Sequence, residues 1–92
     1  MMLPIMVEQH PSSERLEALG VFDWPIWCCE VSAFIWSYEQ REVCYLLEGK
    51  VVVTPEDGAP IELVAGDLVV FPAGMNCQWE IATAVRKHYR LG

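Results

Sequence analysis

Trp36-Ser37-Tyr38-Glu39-Gln40-Arg41-Glu42 leads, after six further residues, to Gly49, and a second stretch runs Gly66-Asp67-Leu68-Val69-Val70-Phe71-Pro72-Ala73-Gly74 and then to Cys77. Both stretches join β-forming residues to glycines or prolines that end them, and the same chemistry governs the chain from Trp24 onward. Trp, Ile, Val, Phe, Tyr and Cys dominate there, residues that fit a pleated, half-buried surface. Turn signals recur at roughly the 8–12-residue spacing of a β-sandwich or barrel. The expected strands are 26–37, 43–48, 50–54, 61–64, 67–71, 77–82 and 84–90. Glu48-Gly49-Lys50 reads as a tight hairpin. Pro55-Glu56-Asp57-Gly58 and Ala65-Gly66-Asp67 read as turns, and Pro72 ends a strand because proline cannot continue the ladder. Val51-Val52-Val53 and Leu68-Val69-Val70-Phe71 are apolar on both faces. Such strands need cover on both sides, from a second sheet, from the N-terminal arm or from another subunit.

The N-terminal residues follow a different pattern. Residues 1–11 hold two prolines and no periodicity, and read as an arm. Ser12-Ser13 ahead of Glu14-Arg15-Leu16-Glu17-Ala18-Leu19-Gly20 predicts a short helix with a serine N-cap, an acidic first turn and a glycine stop. Leu16 and Leu19, three apart, would dock that helix. The division expected is an arm and helix over 1–23 and a β domain over 24–92.

Composition narrows the function classes. A chain of 92 residues, 53% hydrophobic and with ten aromatic residues, has the means for one packed core. Its net charge is −7, and Arg86-Lys87-His88 with Arg90 is too short a basic run for a phosphate track. Nucleic acid is therefore not expected as a partner, since that binding rests on neutralising phosphates. No apolar run nears the ~20 residues of a membrane span. Met1-Met2-Leu3-Pro4-Ile5-Met6 is apolar but lacks a charged leader and is short for a signal segment. Cys28, Cys29, Cys44 and Cys77 include no C-x2-C pair. Free thiols in a reducing compartment are expected, which implies the cytosol or, for a processed form, a plastid stroma.

The two opening stretches resemble the paired signatures of the cupin superfamily, G-x5-H-x-H-x3,4-E-x6-G and G-x5-P-x-G-x2-H-x3-N. Glu42 to Gly49 matches E-x6-G, and Gly66, Pro72 and Gly74 match G-x5-P-x-G. Over residues 22–92 the chain looks like the small single-domain cupins related to the (S)-ureidoglycine aminohydrolase-type domain. Trp24-Pro25-Ile26-Trp27 and Arg86-Lys87-His88-Tyr89 add to that likeness. The resemblance implies an all-β jelly-roll barrel of the RmlC-like cupin kind. In metal-bearing cupins three histidines and a glutamate hold a divalent ion in the barrel mouth. Here Trp36 and Tyr38 stand at the first two histidine positions and Cys77 at the third; only Glu42 is unchanged. No resident metal or other cofactor is expected.

The same frame, joined to the period of two along the last strands, gives the candidate ligand-binding residues: Trp36, Tyr38, Glu42 and Cys77 from the frame, Trp79 and Lys87 from the period. Glu42 turns into the barrel in the family pattern, and a lone buried carboxylate needs a partner or a proton. In the last strand Val85, Lys87, Tyr89 and Leu91 share one face, and Arg86, His88 and Arg90 the other. The apolar set carries Lys87 inward to Glu42, unless Lys87 lies near the strand edge and snorkels to water. Tyr38 or a water is the alternative partner for Glu42. Cys77 is either a buried small hydrophobe or a reactive thiol, and Cys44 reads as core. Trp36, Tyr38 and Trp79 either wall a pocket for a planar ligand or simply fill the barrel. Trp24 and Trp27 read as a subunit contact or as packing for the arm. The reading is a homodimeric small-molecule-binding cupin. A metal-dependent enzyme acting on a ureide-like or other small nitrogen compound, and a non-catalytic structural or interaction subunit, are the alternatives.

Overall fold

The computed structural model of the chain describes residues 4–92; the first three positions of the arm, and with them half of the apolar Met1–Met6 run, lie outside the described residues. Seven strands form an antiparallel jelly roll: β1 (Met6–Gln9), β2 (Ile26–Cys29), β3 (Ser32–Ser37), β4 (Glu42–Pro55), β5 (Ile61–Val64), β6 (Asp67–Phe71) and β7 (Asn76–Leu91). Hydrogen bonds connect them in the order β1-β6-β4-β7-β2; β3 joins the first half of β7, and β5 the second half of β4. The fold is the all-β barrel expected.

Two long strands differ from expectation. β4 runs unbroken through Glu48-Gly49-Lys50, where a hairpin was expected, and β7 runs unbroken through Thr83. The glycine signals a bulge instead of a reversal. Pairing with β7 shifts register between Leu46 and Val51, so inward positions change from 42, 44 and 46 to 51 and 53. Gly49 has φ of 108°, and a Cβ there would stand 2.6 Å from the Ala84 carbonyl oxygen. Only glycine lets β7 approach so closely. The expected strand 26–37 divides into β2 and β3 at Glu30-Val31, where Ser32 Oγ donates to the Glu30 carbonyl at 2.8 Å.

The inner face of the barrel holds the main core, with Cys44, Leu46, Val51, Val53, Leu63, Val69 and Phe71 fully buried. A second apolar cluster covers the outer face of β4 and β6. There Val43 and Leu68 meet Leu16 of the helix α1 (Ser13–Leu19) and Val21 of the 3₁₀ turn after it. The N-terminal segment thus supplies part of the second cover that the two-sided strands require. α1 begins on Ser12, whose Oγ accepts from Arg15 N, and ends on Gly20 at φ 74°. The arm also contributes β1, which pairs with β6 from Met6–Val70 to Gln9–Asp67. It carries no strand periodicity because a four-residue strand ending on Glu8 and Gln9 has little to alternate.

Candidate functional site

Register sets the site. Cys77 lies opposite Trp36 and Trp79 opposite Phe34 across β3–β7; Lys87 lies opposite Trp27 across β2–β7. All six side chains come from inward-facing positions of their strands. Tyr38 lies just past β3, where its N–H bonds to the Met75 carbonyl and its own carbonyl accepts from Gly74 N. The Pro72–Gly74 turn therefore fixes the backbone of Tyr38, whose ring stacks on Phe71 at 4.6 Å.

Glu42 opens β4 and Lys87 reaches it from β7. Lys87 Nζ donates to Glu42 Oε2 at 2.8 Å, with both side chains less than a tenth exposed. The lysine does not snorkel. Its ammonium also lies over the rings of Trp27 and Trp79, at 5.0 and 4.8 Å from their centroids. The attraction of the carboxylate and the two indole faces offsets part of the ammonium's loss of water.

A cavity of about 260 Å³ lies against this pair. Tyr38, Glu42, Trp79 and Lys87 line it together with Trp27, Phe34, Trp36, Tyr89 and Leu91. Trp36 and Leu91 are each about half exposed and mark its open rim. Of the residues singled out in the sequence, Cys77 is the one that does not line this space. It is buried, and its Sγ–H donates to the Trp36 carbonyl at 3.7 Å. Burial raises its pKa, with the Glu42 carboxylate adding to that effect and the Trp79 indole and Lys87 ammonium opposing it. The reactive-thiol reading therefore has no support from the geometry. Cys44 is fully buried, and its pKa is pushed up to about 12, chiefly by burial. Burial also raises the Tyr38 phenol well above its ordinary value, helped by the Glu42 charge and then by the two thiols.

Sequence reasoning misses Trp27, which it places at a subunit contact or against the arm, and it misses Phe34. Both become visible once β2 and β3 are placed beside β7, because Trp27 and Phe34 then face Lys87 and Trp79. The aromatic walls are continuous: Phe34 stacks on Trp79 at 6.0 Å, and Trp27 meets both edge-on. Trp24 belongs to the outer cluster, where its carbonyl bonds His88 Nδ1 at 2.9 Å. Among the described residues no group of three or more His, Cys, Asp or Glu side chains is arranged to hold a metal ion. No helix among them is long and apolar enough to cross a membrane.

Comparison with known proteins agrees with this fold. The family model of the EutQ-like cupin domain matches residues 16–89. A DUF861 family protein from Thermotoga maritima has a similar structure, with a TM-score of 0.93 and 49% identity over 97% of this chain and 100% of its own. An ethanolamine utilization protein Q, so described provisionally, from Salmonella typhimurium is 27% identical with a TM-score of 0.65; the match covers 72% of this chain and 53% of that one. An RmlC-like cupin from Shewanella frigidimarina, 18% identical with a TM-score of 0.56 over 72% of this chain and 64% of its own, shares the fold. No curated protein matches the chain.

Proposed function

We propose that this chain, which belongs to the EutQ-like cupin domain family, binds a small, planar, uncharged molecule in its barrel and holds it through an oxygen acceptor. The observation that carries this reading is the Lys87–Glu42 ion pair beside an aromatic-walled cavity. An ammonium has three N–H donors, and one is engaged by Glu42 at 2.8 Å. The others face the indoles or the ligand space. Carboxylate and ammonium cancel, so a ligand with a net charge would leave an unpaired charge among mainly aromatic walls, which is costly. Trp36, Trp79, Trp27 and Phe34 offer ring faces and edges for a flat molecule. The volume is below the roughly 300–1,000 Å³ of drug-sized sites, so the ligand has the size of a small metabolite.

Thermal-shift and tryptophan-fluorescence titrations with uracil, nicotinamide and benzoate test the reading. The two neutral amides should raise the melting temperature and perturb the fluorescence, and benzoate should do so less. The response should vanish in the paired variant Lys87→Met with Glu42→Gln. Preference for benzoate, or an undiminished response in the paired variant, would overturn it. The sequence resemblance to ureidoglycine aminohydrolase-type cupins suggests another reading, a metal-dependent enzyme acting on a ureide-like or other small nitrogen compound. That reading asks for a ligand set of which only Glu42 remains, and a ureide supplied with Mn²⁺ should then be left unchanged. A scaffold without a ligand, the third reading, corresponds to silence toward all of these probes.

A further inference from the structure

In the cupin frame the retained carboxylate, Glu42, would hold a cation, and in this chain it does hold one. We infer that the ammonium of Lys87 is a tethered replacement for a metal ion: it takes the cation's position beside Glu42, keeps free ions out, and presents N–H donors to the ligand's oxygen where a metal would present an open coordination position. The replacement of the ion concerns only the charge of the site, whereas the presentation of N–H donors rests on the proposed binding of an oxygen acceptor.

Three independent features support the assignment. The first is position. Glu42 opens β4, Cys77 is the second residue of β7, and Lys87 lies ten residues along β7 from Cys77, with its side chain reaching back so that Nζ is 2.8 Å from Glu42 Oε2. Three of the frame's four ligand positions, Trp36, Tyr38 and Glu42, thus line the same cavity as the ammonium, and Cys77, the fourth, is bonded to the Trp36 carbonyl behind it. The second feature is charge. One carboxylate and one ammonium leave the site neutral, whereas an added divalent ion would give it two net positive charges in a place lined mainly by aromatic rings. The third is donor chemistry. The indoles of Trp27 and Trp79 cover the ammonium from two sides, and indole faces attract an ammonium without offering a lone pair to a metal. The Cys77 thiol is spent as a donor to the Trp36 carbonyl. Thiolate, the form that binds Zn²⁺, is disfavoured there by burial.

The test is calorimetric titration of Zn²⁺ and Mn²⁺ into the wild type, Lys87→Ala, and Lys87→Ala combined with Glu42→Gln, with elemental analysis of each after purification without chelator. The wild type should show no ion whose binding depends on Glu42. Lys87→Ala should bind Zn²⁺ through Glu42, weakly for want of other donors but at least about tenfold more tightly than the wild type, because it removes a like charge only a few ångströms away. Adding Glu42→Gln should remove that binding. Equal affinity in the wild type and Lys87→Ala would overturn the inference. So would a stoichiometric metal in the wild type that Glu42→Gln releases. Should Lys87→Ala not fold, Lys87→Met preserves the side-chain bulk, and the wild-type comparison with Glu42→Gln still decides.

Discussion

At the scale of single residues, the ion pair between Glu42 and Lys87 sets the character of the site, and its energetics are unequal under single and double substitution. Removing one partner leaves the other charged and buried, which costs about 3–5 kcal/mol. Removing both leaves two neutral groups of similar size. We therefore expect Lys87→Met and Glu42→Gln each to lower stability by about that amount in urea denaturation. The double variant should fall well short of their sum, and additive effects would show that the two groups do not interact. The buried thiols give a second expectation, in pH. Cys44 has a pKa of about 12 in the fold against 9.0 as the ordinary value, and Cys77 and Tyr38 are also raised. The unfolded chain therefore loses these protons at lower pH than the folded chain does. Stability contributed this way is complete below about pH 9 and declines as pH rises toward 12. Cys44 alone accounts for roughly 4 kcal/mol over that window, at about 1.4 kcal/mol per pH unit. Urea midpoints measured from pH 8 to pH 11 should fall, and Cys44→Ala should flatten the slope.

At the scale of elements, the sequence was most legible where strand and turn chemistry are local. β5 and β6 stand at the expected 61–64 and 67–71 because Ala65-Gly66 closes a short reversal; Asp67 Oδ2 accepts from Val64 N at 2.9 Å to complete it. α1 was legible from its caps, Ser12 and Gly20. Long strands were not. A glycine that permits a bulge and one that permits a hairpin look alike along the chain, and what distinguishes Gly49 is the approach of β7, thirty-odd residues away. The site shows the same limit. Period two along β7 was enough to turn Lys87 and Trp79 inward. It overextended at Cys77, which has the right parity but lies beneath the rings that line the cavity. Trp27 and Phe34 depend on which strands flank β7, a matter of topology that no local pattern states.

At the scale of the whole molecule, the edge formed by β2 and β3 is the feature without cover, and we expect a second copy of the chain to occupy it. Each of these strands pairs with β7 on one side and with no described strand on the other. Unpaired backbone groups on a sheet edge are a template for another strand. The side chains along it are apolar as well: Ile35 is 77% exposed, Val31 66% and Ile26 44%. The opposite edge is less suited to pairing, since β1 has four residues and carries Glu8 in an ion pair with Arg15 at 2.7 Å. A two-fold contact through β3 would bury Ile35 from both copies and would bring Trp36, at the cavity rim, next to the partner. The site and the contact would then be coupled, with ligand binding and association each favouring the other. Sedimentation at tens of micromolar should give a species of twice 10.5 kDa. Ile35→Asp places like charges against each other across such an axis and should shift the chain toward monomer while leaving the core intact, because Ile35 touches solvent and not the barrel interior. A wild-type monomer under those conditions, or an Ile35→Asp variant that associates as strongly as the wild type, would show that this edge is not the contact.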